Sequence, residues 1–132
     1  MASLNCVVVT PEETALDEKT EFVALPLFDG EIGIASGHSP MIGRLGFGEM
    51  RLRTGTSVSR YYVDGGFVQV SGDVVSVLTN RALPAESVDA DAAREQLESA
   101  MKRPANTPEL LEIRDRTVDQ ARAQIRVARH SK

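Results

Sequence analysis

The chain has no tryptophan, one cysteine, two histidines and no apolar run near the roughly 18 residues that a membrane-crossing helix needs. Each shortage excludes something. A single cysteine cannot form an intramolecular disulfide, which suits a reducing compartment, and Cys6 among Val7, Val8 and Val9 is a small core side chain. Two histidines without paired Cys or acidic partners make neither a metal site nor a catalytic base. The missing tryptophan and the two tyrosines argue against a sugar-binding platform. A net charge of -4 argues against nucleic acid. The start, Met1-Ala2-Ser3-Leu4-Asn5-Cys6, has neither the charged head nor the apolar middle of a signal peptide.

What is present divides at about residue 87. Residues 1–87 hold 6 Lys/Arg against 11 Asp/Glu, a net of -5, and residues 88–132 hold 9 against 8, a net of +1. Beyond Gln120 only Arg122, Arg126, Arg129 and Lys132 are charged. In the first part, short β-branched and aromatic runs recur with turn signals between them and without a helical period. Leu4–Thr10 reads as a strand stopped by Pro11, Glu12–Glu18 as a polar connection, and Thr20–Leu27 as a strand in which Pro26 marks an edge or a bulge. Gly30 and Gly33 bracket Glu31 at a hairpin tip. Ala35–Ile42 is a loop holding His38, whose expected partner is the backbone. Gly46-Phe47-Gly48 lacks the third glycine and the following helix of a phosphate loop. Glu49–Arg53 and Val58–Val63 form a hairpin. Asp64-Gly65-Gly66 and Ser71-Gly72-Asp73 are then two turns of a central meander through Phe67–Val70 and Val74–Leu78. This pattern predicts an all-β sandwich, or flattened antiparallel barrel, over residues 1–86.

After Leu83-Pro84-Ala85-Glu86-Ser87 the period changes. Asp89 or Asp91 caps a helix whose apolar stripe is Ala93, Leu97, Ala100 and Met101, and Lys102, Arg103 and Pro104 end it. Thr107 and Pro108 start a second helix of about 23 residues, roughly 35 Å long. In it Leu111, Val118 and Ile125 recur at heptad spacing with Ala121 and Ala128 between. The short link predicts an antiparallel α-helical hairpin over 87–132. Facing residues that are mostly alanine bury little apolar area, so the hairpin depends on docking elsewhere and suits an element with more than one resting place.

Several segments carry a resemblance by their order and spacing. They are Val8-Val9-Thr10-Pro11-Glu12, Gly30-Glu31-Ile32-Gly33-Ile34, Gly37-His38-Ser39-Pro40-Met41, Tyr62 to Val70 with Val74 to Leu78, and Ala123-Gln124-Ile125-Arg126-Val127. Over nearly the whole chain they resemble the epsilon subunit of the bacterial F-type, proton-translocating ATP synthase. The resemblance implies a non-catalytic central-stalk subunit, peripheral on the cytoplasmic face of the inner membrane and not inserted in it. Its sandwich would dock on the gamma subunit and the ring of c subunits, with Asp29, Gly30, Glu31, Ile32 and His38 toward the ring. Its hairpin would extend into the catalytic hexamer and inhibit ATP hydrolysis, with Arg122, Arg126 and Arg129 toward the beta (and alpha) subunits.

No cofactor is implied. Some members bind ATP on the folded hairpin through an (I/L)DxxRA motif. The aligned run here is Val88-Asp89-Ala90-Asp91-Ala92-Ala93, with Ala92 at the arginine position, so nucleotide binding is expected to be weak or absent. The alternative reading is a free-standing β-sandwich adaptor that binds another protein, and co-purification with rotary-complex subunits separates the two.

Overall fold

A computed structural model describes residues 3–130, with the backbone alone at His130. Met1 and Ala2 at the start, and Lys132 counted above with the basic end, lie outside the described residues. The strands are β1 (Leu4–Val9), β2 (Thr14–Thr20), β3 (Phe22–Leu27), β4 (Gly30–Ala35), β5 (Met41–Thr54), β6 (Ser57–Ser71), β7 (Val74–Leu78) and β8 (Ala82–Pro84). A 3-10 turn at Ala85–Ser87 leads to α1 (Ala90–Lys102) and α2 (Pro108–His130). The sheet order is β2-β1-β7-β6-β5-β3-β4, with β8 beside β6. All pairs are antiparallel except β1 with β7.

The two long strands build the sandwich. The first half of β6 pairs with β8 and the second half with β7, while β5 runs beside both halves. Each long strand therefore belongs to both layers, and the break lies at Asp64-Gly65-Gly66. This run is not the turn that the sequence suggests, because the ladder with β5 continues through it. Gly65 and Gly66 take φ of 71° and 103°, and only glycine reaches these values without strain, so the pair bends one strand instead of reversing it. Alternation then fills the interior with Leu4, Cys6, Val8, Val23, Leu25, Ile34, Met50, Leu52, Val63, Val68, Val70, Val75 and Val77. Cys6 is fully buried there, and burial pushes its thiol up to about 12.

Other sequence expectations also change. Most of Glu12–Glu18 is not a connection: Thr14–Thr20 pairs along β1 as an edge strand. Its Thr-Ala-Leu-Asp-Glu-Lys-Thr sequence is polar on both faces, which blunts an open edge but hides the strand from a search for alternation. Thr20–Leu27 is two strands, broken at Glu21. Pro26 sits at a register shift between β3 and β5, so of edge and bulge it is the bulge. Met41 and Ile42 already belong to β5, as do Gly46-Phe47-Gly48 and Glu49–Arg53.

The helices follow the sequence reading. The Asp89 carboxylate accepts from the Ala92 N–H at 3.0 Å, and the Thr107 hydroxyl accepts from the Leu110 N–H at 3.2 Å. Ala93 and Ala100 of α1 and Ala121 and Ala128 of α2 are buried, whereas Met101 is 59% and Leu111 40% exposed. Alanine thus supplies the fully buried positions of the pair outside the sheet contact, while Leu97, Val118 and Ile125 are half-buried.

Candidate functional site

The hairpin rests on the sandwich through α2, which lies on β5, β6 and the 3-10 turn, while α1 packs on α2. Neighbouring residues of a strand face opposite ways. Val63 enters the main core, and Tyr62 turns to the other face, where Ala85, Ala123 and Val127 join it with Phe47 and Val88 alongside. The helix gives this patch only one alanine and one valine of full burial. At about 25 cal/mol per Å2 that is a contribution of a few kcal/mol.

Beside this patch the seam holds a buried polar cluster. Asp64, 7% exposed, accepts the Tyr62 hydroxyl at 2.9 Å and the Gln120 Nε2–H at 3.0 Å on one carboxylate oxygen. Its backbone is fixed from both sides: the N–H donates to Thr79 Oγ1 at 3.0 Å, and the carbonyl accepts from Asn80 Nδ2 at 3.3 Å. Burial raises the Tyr62 hydroxyl pKa well above the ordinary phenol value, against a smaller opposing influence of the nearby Gln124 side chain. It therefore remains an O–H donor to Asp64. Gln120, Ala123, Gln124 and Val127 stand at i, i+3, i+4 and i+7, on one helix face. The sequence reading missed this face because half of it is glutamine, and a search for apolar heptads finds the helix–helix face instead. Two glutamines one turn apart in an alanine-rich helix were the available signal.

The tip of the β3–β4 hairpin is Phe28-Asp29, and Gly30 opens β4 opposite Leu27. Glu31 is one residue further along, opposite Pro26, instead of at the tip. Its carboxylate lies 2.7 Å from Arg51, which lies 3.3 Å from Glu49, and Arg60 lies 3.0 Å from Glu49 on the other side. The Glu31 hydrogen bond raises the Arg51 pKa above its ordinary value. With Glu31 53% exposed, this alternating row fixes direction more than it adds stability. Asp29 and Gly30 are exposed, and Ile32 packs against the main core.

His38 lies beyond the far end of β4, about 20 Å from the tip for a strand of six residues. It is half-buried, and its Nδ1–H donates to the Ser39 carbonyl at 2.7 Å. Asp73 anchors this loop by accepting from Ser36 Oγ at 3.1 Å and from the Gly37 N–H at 3.2 Å. Among the described residues no three His, Cys, Asp or Glu side chains are grouped to hold a metal ion.

Arg122, Arg126 and Arg129 stand at i, i+4 and i+7, exposed and without an ion pair among the described residues. Arg122 and Arg126 share a cleft of about 430 Å3 with Phe28, Arg44, Phe47 and Asp119. Arg126 and Val127 border a second cleft, of about 340 Å3, with Gly30, Glu31, Glu49 and Arg51. The fold thus places Arg126 beside the β3–β4 hairpin, although the sequence reading assigns the two to different partners. Ala92 is exposed, and Arg94, two residues on, pairs with Asp91 at 3.0 Å.

Residues 3–85 match the family model described as ATP synthase, Delta/Epsilon chain, beta-sandwich domain. The chain is 54% identical over 127 residues to the ATP synthase epsilon chain of Rhodopirellula baltica, covering 96% of this chain and 99% of that one. It is 35% identical over 127 residues to the ATP synthase epsilon chain of Nitratidesulfovibrio vulgaris, covering 96% and 90%. In fold it is similar to a chain of the mitochondrial ATP synthase OSCP/F1/c-ring structure of Euglena gracilis, with a TM-score of 0.84 at 21% identity over 93% of this chain and 79% of that one. It is also similar to a chain of the central stalk/c-ring structure of the Tetrahymena thermophila mitochondrial ATP synthase, with a TM-score of 0.76 at 16% identity over 95% and 96%. A β-sandwich carrying a helix pair, with relatives of this identity over nearly its full length, leaves one assignment: the chain belongs to the epsilon-subunit family of F-type ATP synthases.

Proposed function

We propose that the chain is a non-catalytic coupling and regulatory subunit of the central stalk. The sandwich docks on the gamma subunit and the c ring and helps carry proton-driven rotation to ATP synthesis. The hairpin has two positions, one on the sandwich and one extended into the catalytic hexamer, where it inhibits ATP hydrolysis. In the second position Arg122, Arg126 and Arg129 meet acidic segments of the beta and alpha subunits through charge-assisted contacts. Asp29, Gly30, Glu31 and Ile32 of the β3–β4 hairpin, with His38, face the ring. The subunit works at the cytoplasmic face of the inner membrane as a peripheral component, and no helix among the described residues is long and apolar enough to cross a membrane.

The observation that carries this reading is the seam. A contact to which the helix brings small buried apolar side chains and part of a polar cluster is weak enough to open while the main core stays closed. Deleting the chain after residue 87 and assaying ATP hydrolysis by the assembled complex tests it. Hydrolysis is expected to rise several-fold, because losing even about 1.4 kcal/mol of inhibitory contact is a tenfold change in the equilibrium. An unchanged rate confines the chain to structural coupling.

The same reading gives the folded hairpin little affinity for ATP. The Asp89 carboxylate is engaged in its helix cap and Ala92 offers nothing to a phosphate. Calorimetric titration of ATP into the purified chain is expected to give no micromolar binding; a micromolar isotherm overturns this part.

A further inference from the structure

We propose that Tyr62 and Asp64 of β6, with Gln120 and Gln124 of α2, form a releasable polar latch that sets how readily the hairpin leaves the sandwich. The inference rests on the two-position hairpin proposed above and identifies what holds its resting position. The cluster has the construction of a fastener between bodies instead of a core element. Its sheet half is held by the sheet itself: Thr79 and Asn80 fix the Asp64 backbone without any contribution from the helix. Its helix half is two flexible amides one turn apart, which need no covalent or apolar support to let go.

When α2 is down, Gln120 supplies one of the two side-chain donors to the buried carboxylate and Tyr62 the other, with Gln124 one helical turn beyond Gln120 on the same face. When α2 leaves, water replaces both amides. A paired buried carboxylate gains little over a hydrated one, but a buried carboxylate that has lost a partner is heavily penalised. This asymmetry predicts two opposite responses. Gln120→Ala leaves Asp64 short of a donor only in the docked state and should favour release. Replacing the cluster with apolar groups of similar size, by Tyr62→Phe, Asp64→Leu and Gln120→Leu together, removes the demand for donors and should hold the hairpin at least as well as the native residues do.

The test uses the full chain with dyes at two exposed positions, Thr56→Cys on the β5–β6 turn and Arg116→Cys on α2, with Cys6 buried and unlabelled. Energy transfer followed through a urea titration reports the release equilibrium, and strand circular dichroism reports the sandwich separately. Gln120→Ala is expected to shift release about tenfold toward the free hairpin, with the sandwich transition unmoved. The triple variant is expected to release at the native urea concentration or above it. A Gln120→Ala shift smaller than about twofold overturns the latch, as does a triple variant that releases as easily as Gln120→Ala. Hydrolysis assays on complexes assembled with the same chains separate the two claims. Release without a change in ATPase rate upholds the latch and removes the inhibitory role.

Discussion

Gly66→Ala is expected to destabilise the sandwich severely. Gly66 holds φ at 103°, outside the range of an L side chain, and a Cβ built there stands 1.8 Å from the Leu78 carbonyl oxygen and 2.8 Å from its carbon. The obstacle is backbone, and it cannot move aside because Phe67 is paired with Leu78 in the ladder between β6 and β7. Strain and clash together exceed about 4 kcal/mol, a large share of the total stability of a domain this size. The thermal midpoint should fall by about 10 °C or more, at a few degrees per kcal/mol. Gly72→Ala is the control. That residue has φ of 60° in the β6–β7 turn with open space around it, so it carries only the conformational penalty, roughly 1 kcal/mol. Similar melting curves for the two variants would show that the bend in β6 is not a fixed feature of the fold.

Val127→Asp is expected to detach the hairpin and leave the sandwich standing. Val127 is 2% exposed against Tyr62 and Ala85, and an aspartate there is buried beside an apolar patch that already borders one carboxylate. An unpaired buried charge costs several kcal/mol, comparable with everything the seam contributes. Among the described residues the main core contains none from either helix, so its transition should stay within about 2 °C of the native value, the scale of a surface substitution. Ultraviolet circular dichroism read at strand and helix wavelengths during a melt separates the two events. A single cooperative transition, lowered as a whole, would mean that helices and sheet form one body.

The strength of each sequence signal tracked the physics behind it. Both helices are readable in the sequence because their ends are built from local chemistry: a cap at Asp89 or Asp91, of which the structure uses Asp89, and Thr107 followed by Pro108. The interior strands were readable because one face of each is continuous with the core. β2 was not, since an edge strand protected by charge carries no alternation. Asp64-Gly65-Gly66 was misplaced because two glycines with positive φ serve a bend as well as a reversal, and only the long ladder with β5 distinguishes them. Glu31 was set at a hairpin tip because its flanking glycines look like turn residues; Gly33 instead lies where a Cβ would meet the ring of Phe22 at 2.6 Å. The seam was the least legible part. Tyr62 reads as an ordinary strand aromatic, and nothing in its own stretch of chain ties it to Gln120 or Gln124, because the partners lie far apart, 56 residues in the case of Asp64 and Gln120.

The central claim is that one chain folds as two bodies with unequal stability. Native-state hydrogen exchange on the unmodified chain, read amide by amide against low urea, measures this directly. The account predicts that amides within α1 and α2 open together at a free energy several kcal/mol below that of the amides in β5 and β6, roughly the difference between a few small buried side chains and a full core. Protected helix amides that open only with the sheet, at one shared free energy, would contradict it.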